Sequence, residues 1–141
     1  MSIPKQPLRN PGTKAPRPKD AATLIIYRFK NKKVEVLMGE RHRKHKFLPQ
    51  RYVFPGGRVD RQDSRVRSAT NLRSEVEELL TRRVTPARAR ALAAAAIRET
   101  FEESGLIIGK SDVEPYRPVP KNWKTFFDKG FAPCFKNLNY I

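Results

Sequence analysis

Residues 98–106 read RETFEESGL. This stretch places Glu99, Glu102 and Glu103 within one helical turn, in a chain that carries 30 Lys+Arg against 14 Asp+Glu. Concentrated negative charge repels itself, so such a cluster needs a cation, a proton or plain water beside it. The punctuation around it defines a helix over about 86–104: Thr85 is the N-cap candidate, Pro86 takes the first helical position, and Gly105 is the C′ stop. At roughly 100° per residue, Glu102 lies about 60° to one side of Glu99 and Glu103 about 40° to the other. Ala94, Ile97 and Phe101 fall on the opposite side, available to pack on a sheet. Arg98 lies between the two faces, within i+4 reach of Glu102. Leu92 falls on the carboxylate side and is expected to pack under a loop.

On spacing alone, acids at i, i+3 and i+4 ordinarily just face water. Their other use is a hard-cation site. Mg²⁺ and Mn²⁺ prefer oxygen ligands, and two or three carboxylates from one helix make a partial shell that substrate phosphates complete. The excess of Arg and Lys suits a substrate with several negative charges.

Upstream, TLIIYRFK (23–30) and VEVLMGE (34–40) are β-rich runs separated by Asn31-Lys32-Lys33, which predicts an antiparallel hairpin. RHRKHKFLPQR (41–51) is a basic loop. YVFPGG (52–57) predicts a short strand that stops at Pro55 and opens into a Gly-Gly turn. NLRSEVEELL, with Leu72, Val76, Leu79 and Leu80 at helical spacing, predicts a short amphipathic helix. LIIG (106–109) is a strand candidate, and residues 113–123, broken by Pro115, Pro118 and Pro120, a loop.

Together, RETFEESGL and FPGGRVDRQD (54–63) resemble the two halves of the Nudix box, G-x5-E-x7-R-E-U-x-E-E-x-G-U with U aliphatic. Arg98, Glu99, Glu102, Glu103, Gly105 and Leu106 match it, while Thr100 stands where an aliphatic is usual. With Gly57 as the box glycine, Asp63 occupies the position of the first glutamate. An uninterrupted box would place its arginine at position 71; it stands at 98, so 27 residues are inserted. The resemblance is to an interrupted-box branch of the family, with the insertion covering about 64–90.

That resemblance implies an α/β fold, an α/β/α sandwich with a mixed sheet, and hydrolysis of a nucleoside diphosphate linked to another moiety, with Mg²⁺ or Mn²⁺ as cofactor. It implies Glu99, Glu102, Glu103 and the Gly56 carbonyl as metal ligands, and Arg98 as the residue that orients the carboxylates. Glu99 is ligand or proton acceptor, and Asp63 a supporting acid. A loose similarity of VLMGERHRKHKFLPQRYVFPGG to the coenzyme A pyrophosphatase branch suggests a coenzyme A-like substrate. Only 35 residues follow the box, so the fold is expected to be short at its C-terminus. Asp112, Glu114 and Asp128 are the acids found there.

Arg41, Arg43, Lys44, Lys46, Arg51 and Arg58 are candidate phosphate contacts; for each alone, a solvated basic side chain is the ordinary alternative. His42 and His45 read as surface histidines, and Trp123 and Phe126 as base-stacking or core aromatics.

At 141 residues the chain fits one domain. Residues 1–22 read as a mobile basic arm, since the first twenty hold five of the twelve prolines and five basic residues; residues 23–141 form the folded domain. The formal net charge of +16 predicts attraction to polyanions. The expected partners are a small phosphate-containing substrate, nucleic acid through the basic charge, and a second copy as a homo-oligomer, with no membrane association. The single cysteine, Cys134, excludes an internal disulfide, and a cytoplasmic protein is the default expectation. A basic nucleic-acid-binding module, or an inactive fragment on the same scaffold, is the competing reading.

Overall fold

Short strands pair two by two, and a long alanine-rich helix packs across one pair. The computed structural model describes residues 17–40, 51–111, 113, 114 and 117–141. In chain order, β1 (Ala21–Thr23), β2 (Tyr27–Lys30), β3 (Lys33–Val36), β4 (Gly39–Glu40), β5 (Tyr52–Val53) and β6 (Gly56–Arg58) precede α1 (Ser74–Thr81) and α2 (Pro86–Ser104). Then come β7 (Gly109–Ser111), a 3-10 turn at Lys121–Trp123, α3 (Lys124–Asp128) and β8 (Phe131–Pro133). The class is α/β.

The ladders are β1–β6, β2–β3, β4–β5 and β7–β8, all antiparallel. Among the described residues, parallel pairing is confined to one bridge, Thr70 with Cys134. The expected strand 23–30 is interrupted over Leu24–Ile26. Its backbone stays bonded there: Leu24 N–H donates to Pro55 O at 2.9 Å and Ile26 O accepts from Leu37 N–H at 2.9 Å. The Gly-Gly pair, expected to turn, is instead the paired strand β6, with Gly57 opposite Ala22 and Gly56 opposite Thr23. A Cβ on Gly56 would lie 2.4 Å from Ala22 O and 2.6 Å from Thr23 Cα, so β1 approaches closer than any side chain allows. Of the stretch 1–22 read as a mobile arm, residues 1–16 lie outside the described residues, while Ala21 and Ala22 belong to β1 and Asp20 O accepts from Val59 N–H at 2.9 Å.

Helix α2 has the bounds its caps predict. The Thr85 hydroxyl accepts from Arg88 N–H at 3.3 Å, Pro86 opens the helix, and Gly105 closes it at φ 74° with its N–H on Phe101 O at 2.8 Å. Ala89, Ala94, Ala95 and Ile97 are fully buried, because a methyl-only face lets the helix lie close on β1 and β6. Val76 of α1 and the preceding Leu72 are buried with it. Leu92 is half-buried and lines a cavity of about 390 Å³ between β1, α1, α2 and the irregular segment Leu138–Tyr140. The strand expected over 106–109 begins at Gly109; Ile107 and Ile108 serve as packing on the core. Trp123, Phe126 and Phe135 complete that core, with Trp123 edge-on to Phe126 at 5.3 Å and Phe126 edge-on to Phe101 at 5.1 Å. Among the described residues no helix is long and apolar enough to cross a membrane.

Candidate active site

The insertion between the halves of the box packs Val66, Leu72 and Val76 into the core, and the halves meet. Strand β6 packs on the last turns of α2. Gly56 N–H donates to Glu103 Oε2 at 3.1 Å across 47 residues. The Glu99 carboxyl carbon stands 2.5 Å from where a Cβ on Gly57 would be, so only glycine leaves room for this carboxylate. Two of the three acids therefore face the Gly-Gly strand.

Arg98 is the centre of the arrangement, 6% exposed. Its planar fork offers five N–H donors, and the surrounding acceptors match that number. Nε–H donates to Asp63 Oδ1 at 2.9 Å, and Nη2 donates to Asp63 Oδ2 and to Arg58 O, both at 3.0 Å. Nη1 reaches Glu102 Oε2 at 3.0 Å and Glu99 Oε1 at 2.9 Å. The expected i+4 contact with Glu102 is thus one bond of a larger cage. Helix α2 positions Arg98, Glu99, Glu102 and Glu103; the turn after β6 positions Asp63 and the Arg58 carbonyl.

Asp63, expected only as a supporting acid, is 2% exposed. Its carboxylate accepts four hydrogen bonds: two from Arg98, one from Asp60 N–H at 2.8 Å, and one from Trp123 Nε1–H at 2.9 Å. Next to it, Gln62 Oε1 accepts from Asn122 N–H at 2.9 Å. The role of Trp123 escapes sequence reasoning, since no spacing links residues 60 positions apart. Trp123 and Phe126, read as base-stacking or core aromatics, are core.

The charges respond to this packing. Burial would lower the Arg98 pKa, but the hydrogen bonds and charge of Asp63, with the charges of Glu99 and Glu102, override it and hold the guanidinium above the usual arginine range. Burial pushes the Glu99 carboxyl up; Arg98 opposes this, while Glu102 and Glu103 add to it. Desolvation thus outweighs the arginine neighbour at Glu99.

Among the described residues, no group of three Asp, Glu, His or Cys side chains is arranged to hold a metal ion. The donor types nevertheless fit a hard cation: three carboxylates of one helix rim beside the Gly56–Gly57 backbone, with Glu99 in a space that a Cβ would fill. As they stand, Glu102 is turned to Arg98 and Glu103 to Gly56 N–H. Both are exposed.

Of the candidate phosphate contacts, the Arg51 and Arg58 side chains are exposed, and Arg58 reaches the cage only through its carbonyl. Arg41, Arg43, Lys44, Lys46, His42, His45 and Asp112 lie outside the described residues. Glu114 and Asp128 are exposed.

No family model and no curated protein matches the chain. Among solved structures it is similar to a NUDIX hydrolase from Alicyclobacillus acidocaldarius, at 26% identity and a TM-score of 0.58, over 87% of this chain. The match takes in 60% of that protein's length. Two box halves that converge through a 27-residue insertion, on a backbone similar to a solved NUDIX hydrolase over most of the chain, identify the architecture: this polypeptide has the Nudix fold.

Proposed function

We propose that the chain is a divalent-metal-dependent hydrolase that cleaves the pyrophosphate linkage of a nucleoside diphosphate derivative, with a coenzyme A-like compound among the candidates. The observation that carries this reading is the meeting of Glu99 and Glu103 with Gly57 and Gly56 across the insertion. Glu99, Glu102, Glu103 and the Gly56 carbonyl would hold Mg²⁺ or Mn²⁺, which when bound shields phosphate charge and activates water. Arg98 holds Glu99 and Glu102 in one orientation through Nη1. Glu99 serves either as one of these ligands or as the acceptor of the attacking water's proton. Arg51 and Arg58 have exposed side chains that suit the substrate's phosphates.

The test is a panel of dinucleotides, nucleotide sugars and coenzyme A, with Mg²⁺ or Mn²⁺, read by release of phosphorylated products. Glu103→Gln should abolish release. Equal release by that variant would remove the mechanism. Salt-sensitive binding to random RNA or DNA, indifferent to metal and to Glu103→Gln, would instead favour a nucleic-acid-binding module drawn by the +16 charge.

A further inference from the structure

We infer that Trp123 is a positioning residue of the carboxylate site: through its indole N–H on Asp63 it fixes the plane of the Arg98 fork, and so the placement of Glu99 and Glu102. The inference rests on the metal-site reading above and names the part of this chain, outside the box, that sets its geometry.

Asp63 is where the two segments join. Its Oδ1 is shared by Arg98 Nε–H and Trp123 Nε1–H, each at 2.9 Å, and its Oδ2 by Arg98 Nη2 and Asp60 N–H. Asp60 is on the same turn as Asp63, and Arg98 is the group being oriented. Trp123 therefore supplies the tertiary anchor of the carboxylate. The indole can serve as one because it is locked: Trp123 is fully buried and edge-on to Phe126 at 5.3 Å. One residue earlier, Asn122 N–H holds Gln62 Oε1 at 2.9 Å. Two consecutive residues of the C-terminal segment thus clasp two consecutive residues of the box turn.

The consequence follows from the rigidity of the guanidinium. Asp63 binds the Nε–Nη2 edge, and the opposite corner, Nη1, reaches both Glu99 at 2.9 Å and Glu102 at 3.0 Å. A planar fork cannot turn at one edge without moving the other. Removing the indole N–H leaves Oδ1 with one donor, so the Asp63 carboxylate can rotate and carry Nη1 with it. Partners that orient metal ligands indirectly typically change metal affinity about 10- to 100-fold when lost.

The experiment is Mn²⁺ binding to the full chain, measured by electron paramagnetic resonance of free Mn²⁺, for the wild type, Trp123→Phe and Phe135→Leu, with thermal unfolding of each. Trp123→Phe keeps an aromatic ring in the core and removes the N–H. Phe135→Leu loosens the same core without a bond to Asp63. The expected result is Mn²⁺ affinity about tenfold weaker for Trp123→Phe and unchanged for Phe135→Leu, at similar losses of unfolding temperature. Wild-type affinity in Trp123→Phe would overturn the inference, as would equal weakening by Phe135→Leu, which would make the effect general loosening of the core. A wild-type chain that binds no Mn²⁺ would overturn the metal reading itself, a separate and recognisable failure.

Discussion

The Glu99 carboxyl carbon lies 2.5 Å from the place a Cβ on Gly57 would take. Glycine at 57 is thus required by a side chain from the other half of the box, and the obstacle is the far end of a flexible group. Gly56 differs: there the obstacles are Ala22 O at 2.4 Å and Thr23 Cα at 2.6 Å, both backbone. Gly57→Ala should therefore fold, with Glu99 pushed out of its space and hydrolysis reduced by at least tenfold. Gly56→Ala should break the β1–β6 pairing and cost about 3 kcal/mol, near the upper end for overpacking. Circular dichroism melts of both variants, with turnover of Gly57→Ala, check the contrast. Equal stability loss in the two would contradict the distinction between side-chain and backbone obstruction.

Asp63→Asn should be the most damaging single-atom change at the site. Arg98 and Asp63 have side chains only 7% and 0% exposed, and their contact is bidentate. Removing the carboxylate charge leaves a buried guanidinium facing an amide that presents donors to donors, which costs about 3 kcal/mol or more. Urea unfolding measures it. A loss below about 1 kcal/mol, the usual value for surface pairs, would mean that Glu99 and Glu102 can neutralise Arg98 without Asp63.

The Asp20–Arg88 pair makes a pH-dependent contribution. The hydrogen bonds from Arg88 hold the Asp20 carboxyl below its ordinary value of 3.8. A depressed native pKa means stability that is fully present above the unfolded value and lost as pH falls through the native one. The difference in unfolding temperature between wild type and Asp20→Asn should be constant from pH 7 down to about 5, then shrink as pH falls below 4. Growth of that difference in acid would reverse the sign of the linkage. The pair is exposed and the effect small, but it also ties the entrance of β1 to the first turn of α2.

What was legible in the chain followed the range over which each signal acts. Helix α2 has its sequence-read bounds because Thr85, Pro86 and Gly105 act on their own neighbours. The box halves were legible because residue type survives an insertion: Arg98, Glu99, Glu102 and Glu103 declare their chemistry whatever separates them from Gly57. Gly56-Gly57 was misread as a turn because local preference favours one, while the closeness of β1 is a tertiary fact. The bond between Trp123 and Asp63 left no local trace. The division into two-stranded ladders was equally hidden, since it depends on which short strands find partners.

The hairpin supplies a last test of local against tertiary control. The sequence suggests a loop of Asn31-Lys32-Lys33, but Lys33 pairs with Lys30, leaving a two-residue turn. Such turns favour positive φ at both residues because that twist matches the strands, and Asn31 and Lys32 stand at 49° and 61°. Asparagine tolerates this conformation, whereas lysine is strained there by about 1 kcal/mol. Tyr27, Phe29 and Val34 on the flanking strands are all exposed, so no core packing offsets the strain. Lys32→Gly should therefore raise stability by about 1 kcal/mol, less the entropy glycine adds to the unfolded chain, and leave metal binding unchanged. Thermal unfolding reads the gain; a lower midpoint would show that the Lys32 side chain stabilises the hairpin by more than its backbone strain costs.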